Sequence, residues 1–181
     1  MSHRIKLFSV EQIPSRTAKQ LSSSINRVIK YYARAHFIVN VVLMDMEFDK
    51  VVDELPMVEI NTTAAREHVG EIERGIRTIK GRSRSILSPL KYKVLPRQVT
   101  IHLVYFAVMW LNSFPKKDGI SRVYSPREIM TRTRLNWDYH CCRADFGEYV
   151  EAYPHHEVTN NMRERAFTGV YLGPTGNRQG T

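Results

Sequence analysis

A run of apolar and largely β-branched residues, "FIVNVVLMD", occupies positions 37–45 and restricts the fold more than any other segment. Such a run is typical of a strand buried on both faces, and therefore of a sheet covered by helices. It ends at Asp45, and a group of acids follows at once, namely Glu47, Asp49, Asp53 and Glu54. The sequence therefore predicts an α/β fold in which one strand ends at an acidic edge.

Helical patterns lie on both sides of this strand. After a short candidate strand at 5–13, a helix is expected to begin at Thr17 with a capping box formed with Gln20. A second helix is expected from Thr62 or Thr63. Its apolar residues recur at intervals of three, four and seven, which predicts one stripe facing the core.

Three further elements follow. Residues 96–113 predict a helix that is apolar nearly all round and must therefore be buried, in the core or in an oligomer interface. "SPREIMTRT" at 125–133 predicts a short capped helix. Beyond Asn136, "ADFGEYVEAY" and "AFTGVYLGPTGN" predict short strands with glycine turns.

The second helix carries an unusual charge pattern, "VGEIERGIRTIKGRSR" at 69–84. At 100° per residue, five charged residues fall within about 60° of one another beside the apolar stripe. They are Arg66, Glu73, Arg77, Lys80 and Arg84. This places Glu73 at the core edge inside a basic row, while Glu67 and Glu71 point elsewhere.

The net charge of +9 is unevenly distributed. Residues 1–36 and 64–98 each carry +6, whereas residues 37–63 carry −5. Two basic segments around an acidic one favour a polyanionic partner with a metal ion at the centre. A basic surface that only aids solubility is the alternative.

Carboxylates from a strand end and a neighbouring helix can converge on Mg²⁺, which binds carboxylate and phosphate oxygens. Phosphoryl transfer on DNA commonly uses two such ions. A basic row would then hold the phosphodiester backbone without reading its sequence. The alternative is that these acids are simply solvated, which we expect for Glu47, Asp49 and Asp53.

Other classes of protein are less compatible with the sequence. Cys141 and Cys142 are the only cysteines, which excludes a disulfide framework, and adjacent cysteines lack the spacing of a structural zinc site. The N-terminus has no apolar core of a signal peptide. Val99–Leu111 is shorter than the roughly 20 residues that span a bilayer. We expect a soluble, intracellular protein.

Five segments, taken in order, resemble copia-type retrotransposon integrases. "HVGEIERGIRT" resembles the signature "NGVAER-x-NRT", and "LMDMEF" resembles the strand-end motif of that family. "SPREIMTR", "ADFGEYV" and "GVYLGPTG" resemble segments that follow the catalytic core. The resemblance implies a ribonuclease-H-like fold, with Asp45 and Glu73 as catalytic, metal-binding carboxylates and Arg74 beside the glutamate.

The same resemblance implies DNA integration by metal-dependent strand transfer, with Mg²⁺ or Mn²⁺ as cofactor and a nuclear location for the intact protein. The family needs a third carboxylate on an earlier strand. No Asp precedes Asp45 in this chain, and Glu11 is the only acid there. We therefore expect a fragment that begins partway through the catalytic domain, holds the metal weakly and is inactive alone.

The combined prediction is an incomplete ribonuclease-H-like α/β fold, a mixed sheet flanked by helices. Residues 1–90 would form the partial catalytic core, 91–135 a helical extension and 136–181 a small β-rich segment. DNA would contact Arg66, Arg74, Arg77, Lys80 and Arg84, and helix 96–113 would join copies of the chain. Two alternatives stay open: a non-catalytic module that binds nucleic acid and dimerises, and a relic that does not fold stably because its sheet lacks a strand.

Overall fold

A computed structural model describes residues 1–62, 70–135, 144–153, 162 and 165–174. Its elements, in chain order, are α1 (Ala18–Arg34), β1 (Val41–Met44), a 3₁₀ helix (Met46–Glu54), β2 (Glu59–Thr62), α2 (Gly70–Leu87), α3 (Arg97–Ser113), α4 (Pro126–Thr131), β3 (Tyr149–Ala152) and β4 (Phe167–Val170). The architecture is α/β, with helices and two small sheets, as the sequence predicts at this coarse level.

The described chain divides into two compact units. The first unit comprises Met1–Gly81 and Val108–Thr133, and the second comprises Arg82–Ala107 and Arg134–Thr181. The domain boundaries expected from the sequence, after residues 90 and 135, remain predictions.

Within the first unit, one apolar cluster joins α1, β1 and the 3₁₀ helix. Leu21, Met44, Val51 and Leu55 form its buried centre, and Val51 is completely inaccessible to solvent. Apolar side chains three and four residues apart project from the same side of a helix, so both helical segments can face the strand. The acidic residues after β1 are thereby held in a short helix rather than in an open loop.

The strand β1 is shorter and less buried than its sequence predicts. It pairs in parallel with β2, with Val41 opposite Glu59 and Met44 opposite Thr62. Val41 and Leu43 are 46% and 49% exposed. The prediction of burial on both faces is wrong, because the cluster around Val51 covers only the face that carries Met44.

The N-terminal segment forms no strand at 5–13, contrary to prediction. The Ser2 amide donates to the Leu7 carbonyl, and Lys6 closes this turn with a φ of 60°. Ile5 and Leu7 are buried in a second cluster, with Tyr32, Ala35 and Met130. The alternating apolar residues that predicted a strand are instead buried in a turn that packs against helices.

Helix ends show where local sequence signals hold. The α4 prediction is confirmed: the Ser125 hydroxyl accepts from the Glu128 amide, and the Glu128 carboxylate accepts from the Ser125 amide. At α1 the predicted capping box is not formed, since the Thr17 side chain makes no capping hydrogen bond to the described residues of the helix. The Thr17 carbonyl instead accepts from the amides of Gln20 and Leu21.

Helix α3 matches its predicted span closely and is largely buried. Leu103, Phe106 and Ala107 are buried in the part of the helix that belongs to the second unit. Val108 and Leu111 are buried in the part that belongs to the first unit. None of the helices in the described ranges combines the length and apolarity needed to cross a membrane.

The second unit is organised around a glycine turn and an aromatic pair. The rings of Phe106 and Phe146 lie 5.4 Å apart between centroids. Gly147 has a φ of 83°, and a Cβ there would lie 2.6 Å from the Tyr92 hydroxyl, which donates to the Gly147 carbonyl. Glycine is required for this close approach. Antiparallel strands β3 and β4 follow, as predicted, with Tyr149 opposite Val170.

Candidate nucleic-acid interface and carboxylate pair

The orientation of α2 is set by Gly75, the buried residue of this helix. A Cβ at Gly75 would lie 2.9 Å from a ring carbon of Phe8, so the absent side chain lets the helix approach the N-terminal segment. Ile76, which the sequence places in the buried stripe, is 48% exposed. The buried face of α2 is therefore rotated from the predicted stripe toward the side of Gly75.

This rotation puts the charged row in solvent. At 100° per residue, Glu73, Arg77, Lys80 and Arg84 all lie within about 40° of the direction opposite Gly75. All four are exposed. Glu73, which the sequence places at the core edge, is exposed on the side of the helix opposite the buried Gly75.

The other arginines of the predicted interface differ in position. Arg74 is exposed and lies about 100° from Gly75, so it stands off the charged row. Its carbonyl accepts from the Thr78 hydroxyl at 2.9 Å. Arg66 and Glu67 fall outside the described residues, as does the predicted helix start at residue 63. The alternative start at Thr62 is wrong, because Thr62 is the last residue of β2 and pairs with Met44.

Glu71 has a structural role that the sequence did not reveal. Its carboxylate accepts a hydrogen bond from Lys6, and His3 Nδ1 lies 2.8 Å from its second oxygen. Hydrogen bonding to Lys6, and then to His3, holds the pKa of the Glu71 carboxyl below its ordinary value. The partners lie 65 and 68 residues away in sequence, so no local pattern could have identified them.

Asp45 stands where the sequence predicts, directly after β1. It is exposed, and its carbonyl accepts from the Phe48 amide at 2.9 Å, at the start of the 3₁₀ helix. Asp49 and Asp53 are also exposed, which agrees with their interpretation as solvated acids. The side chain of Glu47 lies outside the described residues.

Two acids in this unit join α1 to other segments, Glu54 from the 3₁₀ helix and Glu11 from the N-terminal segment. The buried Ser22 hydroxyl donates to Glu54 at 2.7 Å. The Glu11 carboxylate accepts from Arg27 Nη2 at 2.6 Å and from the Ser24 hydroxyl at 2.7 Å. Hydrogen bonding to Arg27 lowers the pKa of Glu11. Glu11, the sole acid before Asp45, is thus engaged in this structural pair.

A metal site needs a convergent set of donors, and the part of the chain that the structure describes does not supply one. Among those residues, no three His, Cys, Asp or Glu side chains form a group that could hold a metal ion. Asp45 and Glu73 offer two exposed carboxylates. Two-metal phosphoryl transfer needs more than such a pair, so the described residues alone do not fit that cofactor.

The similarity of this chain to known proteins is weak. The chain matches no protein-family model and no curated protein. A solved structure of the catalytic core domain of BIV integrase is similar at a TM-score of 0.43 and 20% sequence identity, over 70% of this chain and 78% of that chain. Both values are low, and neither the family nor the function of this chain follows from them.

Proposed function

We propose that this protein binds nucleic acid through the exposed charged row of α2. The observation that carries the proposal is the orientation of the helix within the first unit: Gly75 packs against Phe8, and Arg77 and Lys80 face solvent on the opposite side. The net charge of +9 favours a polyanionic partner.

Phosphate contacts of this kind have a measurable signature. Each neutralised phosphate releases counterions, so the affinity for duplex DNA falls as the salt concentration rises. In a plot of the logarithm of affinity against the logarithm of salt concentration, each contact contributes about −0.9 to the slope. Arg77 and Lys80, which both belong to the first unit, would together account for about 1.8 of this slope. Such contacts position the duplex and carry no sequence preference.

A finer proposal is that the chain is the remnant of a retrotransposon integrase. The ordered resemblance of its segments to copia-type integrases supports this, as does the position of Asp45 at the end of β1. In the intact protein Asp45 and Glu73 would be two of the carboxylates that bind Mg²⁺ or Mn²⁺ for DNA strand transfer. Nuclear location and assembly through α3 belong to the same proposal.

The second candidate is a non-catalytic module that binds nucleic acid and dimerises. Two observations favour it: Glu73 faces solvent, and no donor set for a metal ion forms among the described residues. The two candidates share the binding face and differ in whether divalent metal ions support chemistry.

The binding experiment compares two variants of equal charge. Fluorescence anisotropy with a labelled duplex of about 20 base pairs, at several salt concentrations, should show the salt slope reduced by about 1.8 in Arg77→Gln/Lys80→Gln. Lys19→Gln/Lys30→Gln removes the same charge from exposed positions of α1 and should leave the slope nearly unchanged. Equal effects of both pairs would contradict a specific role for α2.

Catalysis is tested on the same protein. Strand transfer on short duplexes is measured with Mg²⁺ and with Mn²⁺, for the natural chain and for Glu73→Gln. Activity that is lost in the variant would support the integrase proposal. Salt-dependent binding without strand transfer in either protein would support the non-catalytic module.

A further inference from the structure

The segment that joins α3 to α4, residues 114–125, exposes several apolar side chains in a short stretch. Ile120, Val123 and Tyr124 are 62%, 70% and 62% exposed. Neighbouring apolar side chains left in water are a feature of surfaces that contact another molecule. The segment belongs entirely to the first unit and is distinct from α2.

The backbone of this segment is held in place. The Ile120 amide donates to the Arg4 carbonyl at 3.0 Å, and the Ser121 hydroxyl accepts from the amides of Val123 and Tyr124 at 3.1 and 2.9 Å. The next residue, Ser125, is completely buried as the cap of α4. Tyr124 therefore presents its ring from a fixed backbone, which reduces the entropy lost on binding.

The charged residues near these side chains in the sequence indicate the chemistry of the partner. Lys117 and Arg122 are exposed within the same segment, and Asp118 is its only acid. An exposed aromatic ring flanked by cations is the combination with which proteins hold single-stranded nucleic acid: a base stacks on the ring, and the cations contact the phosphates. A purely apolar protein partner would not need the cations.

We infer that residues 117–124 form a binding site for single-stranded nucleic acid, separate from the duplex-binding face of α2. Tyr124 stacks on a base, and Lys117 and Arg122 contact the adjacent phosphates. Stacking depends on the ring and not on the base, so binding is tolerant of sequence and sensitive to salt.

The test uses the full chain and a labelled oligothymidylate of about 20 nucleotides. Anisotropy titrations should show Tyr124→Ala binding about 5- to 100-fold more weakly than the natural chain, and Tyr124→Phe binding within about twofold of it. Tyr149→Ala is the matched control, because Tyr149 is 70% exposed on β3. It should leave the affinity unchanged.

Two comparisons separate this inference from the proposed function of α2. Tyr124→Ala should keep its affinity for duplex DNA, whereas Arg77→Gln/Lys80→Gln should lose duplex affinity and keep the contribution of Tyr124 to single-strand binding. Thermal melting of each variant confirms folding, and Tyr124→Phe controls for local packing.

Three results would overturn the inference. Tyr124→Ala could bind the oligonucleotide as tightly as the natural chain does, or Tyr149→Ala could weaken binding equally. The third is binding to vesicles of phosphatidylcholine and phosphatidylserine that requires Tyr124, with no effect of Tyr124 on the oligonucleotide. That result would assign the exposed segment to an anionic membrane surface instead.

Discussion

Asn112 provides the sharpest test of how the first unit is held together. Its side-chain oxygen accepts from the Phe8 amide at 2.9 Å, and its side-chain nitrogen donates to the Phe8 carbonyl at 2.8 Å. Asn112 is only 9% exposed. One amide thus joins the end of α3 to the N-terminal segment in the way that a paired strand would, across 104 residues of sequence.

The magnitude for Asn112→Leu follows from these two bonds. Leucine has a similar volume but neither donates nor accepts, so the substitution leaves the amide and carbonyl of Phe8 without their partner. An unsatisfied buried group costs about 1–3 kcal/mol. Since Phe8 is only partly buried, we take the lower part of that range for each group and expect a loss of about 2–3 kcal/mol in the free energy of unfolding.

Urea unfolding followed by circular dichroism measures this loss. With a slope of about 2 kcal/mol per molar urea, the midpoint should fall by about 1–1.5 M. Asn26→Leu is the matched control, because Asn26 is exposed on α1, and it should change stability by less than about 0.5 kcal/mol. Equal midpoints for the two variants would refute the reasoning, as would unchanged hydrogen exchange of the Phe8 amide.

Two further predictions concern α2. Gly81→Ala should stabilise the protein by up to about 1 kcal/mol in thermal melting, since nothing lies within 4 Å of the added Cβ. Gly75→Ala should not show this gain, because its Cβ would lie 2.9 Å from a ring carbon of Phe8. Equal effects of the two substitutions would contradict the packing described. Glu71→Gln should be less stable than the natural chain above about pH 4.5, the ordinary pKa of a glutamate carboxyl. The pKa of Glu71 is lowered in the folded protein, so the stability that its ionised carboxylate contributes is lost as pH falls through that lowered value. A stability difference between the two proteins that does not shrink on acidification would contradict this assignment of Glu71.

Elements governed by local hydrogen bonding were predictable. Helix α3 was expected at 96–113 and spans Arg97–Ser113, and α4 was expected as a short capped helix and is capped by Ser125. Both depend on residues at most four positions apart, which a linear pattern contains. The strands β3 and β4 were also found within their predicted segments.

Features that depend on distant contacts were not predictable in the same way. Residues 5–13 carry a pattern that suits a strand, yet Ile5 and Leu7 are buried in a turn against α1 and α4. The capping signal at Thr17 was present but not used. At Ile5 and Leu7 tertiary contacts outweigh a local preference for a strand, and the cap that is not formed at Thr17 is worth only about 1 kcal/mol.

The candidate site shows the same division. Its residue types and their spacing along α2 were visible in the sequence, and so was the position of Asp45 after a strand. The direction in which Glu73 and the basic row face was not, because it depends on which side of α2 packs against Phe8.

The sequence by itself determined the charge distribution of this protein, the places of α1, α3, α4, β3 and β4, and the acids and bases that could act together. Only the tertiary structure decided that the charged row of α2 faces solvent and that Tyr124 is presented on a fixed loop. The physical reason is that periodicity specifies which residues share a face, whereas the partner of that face is chosen by contacts between segments far apart in the chain.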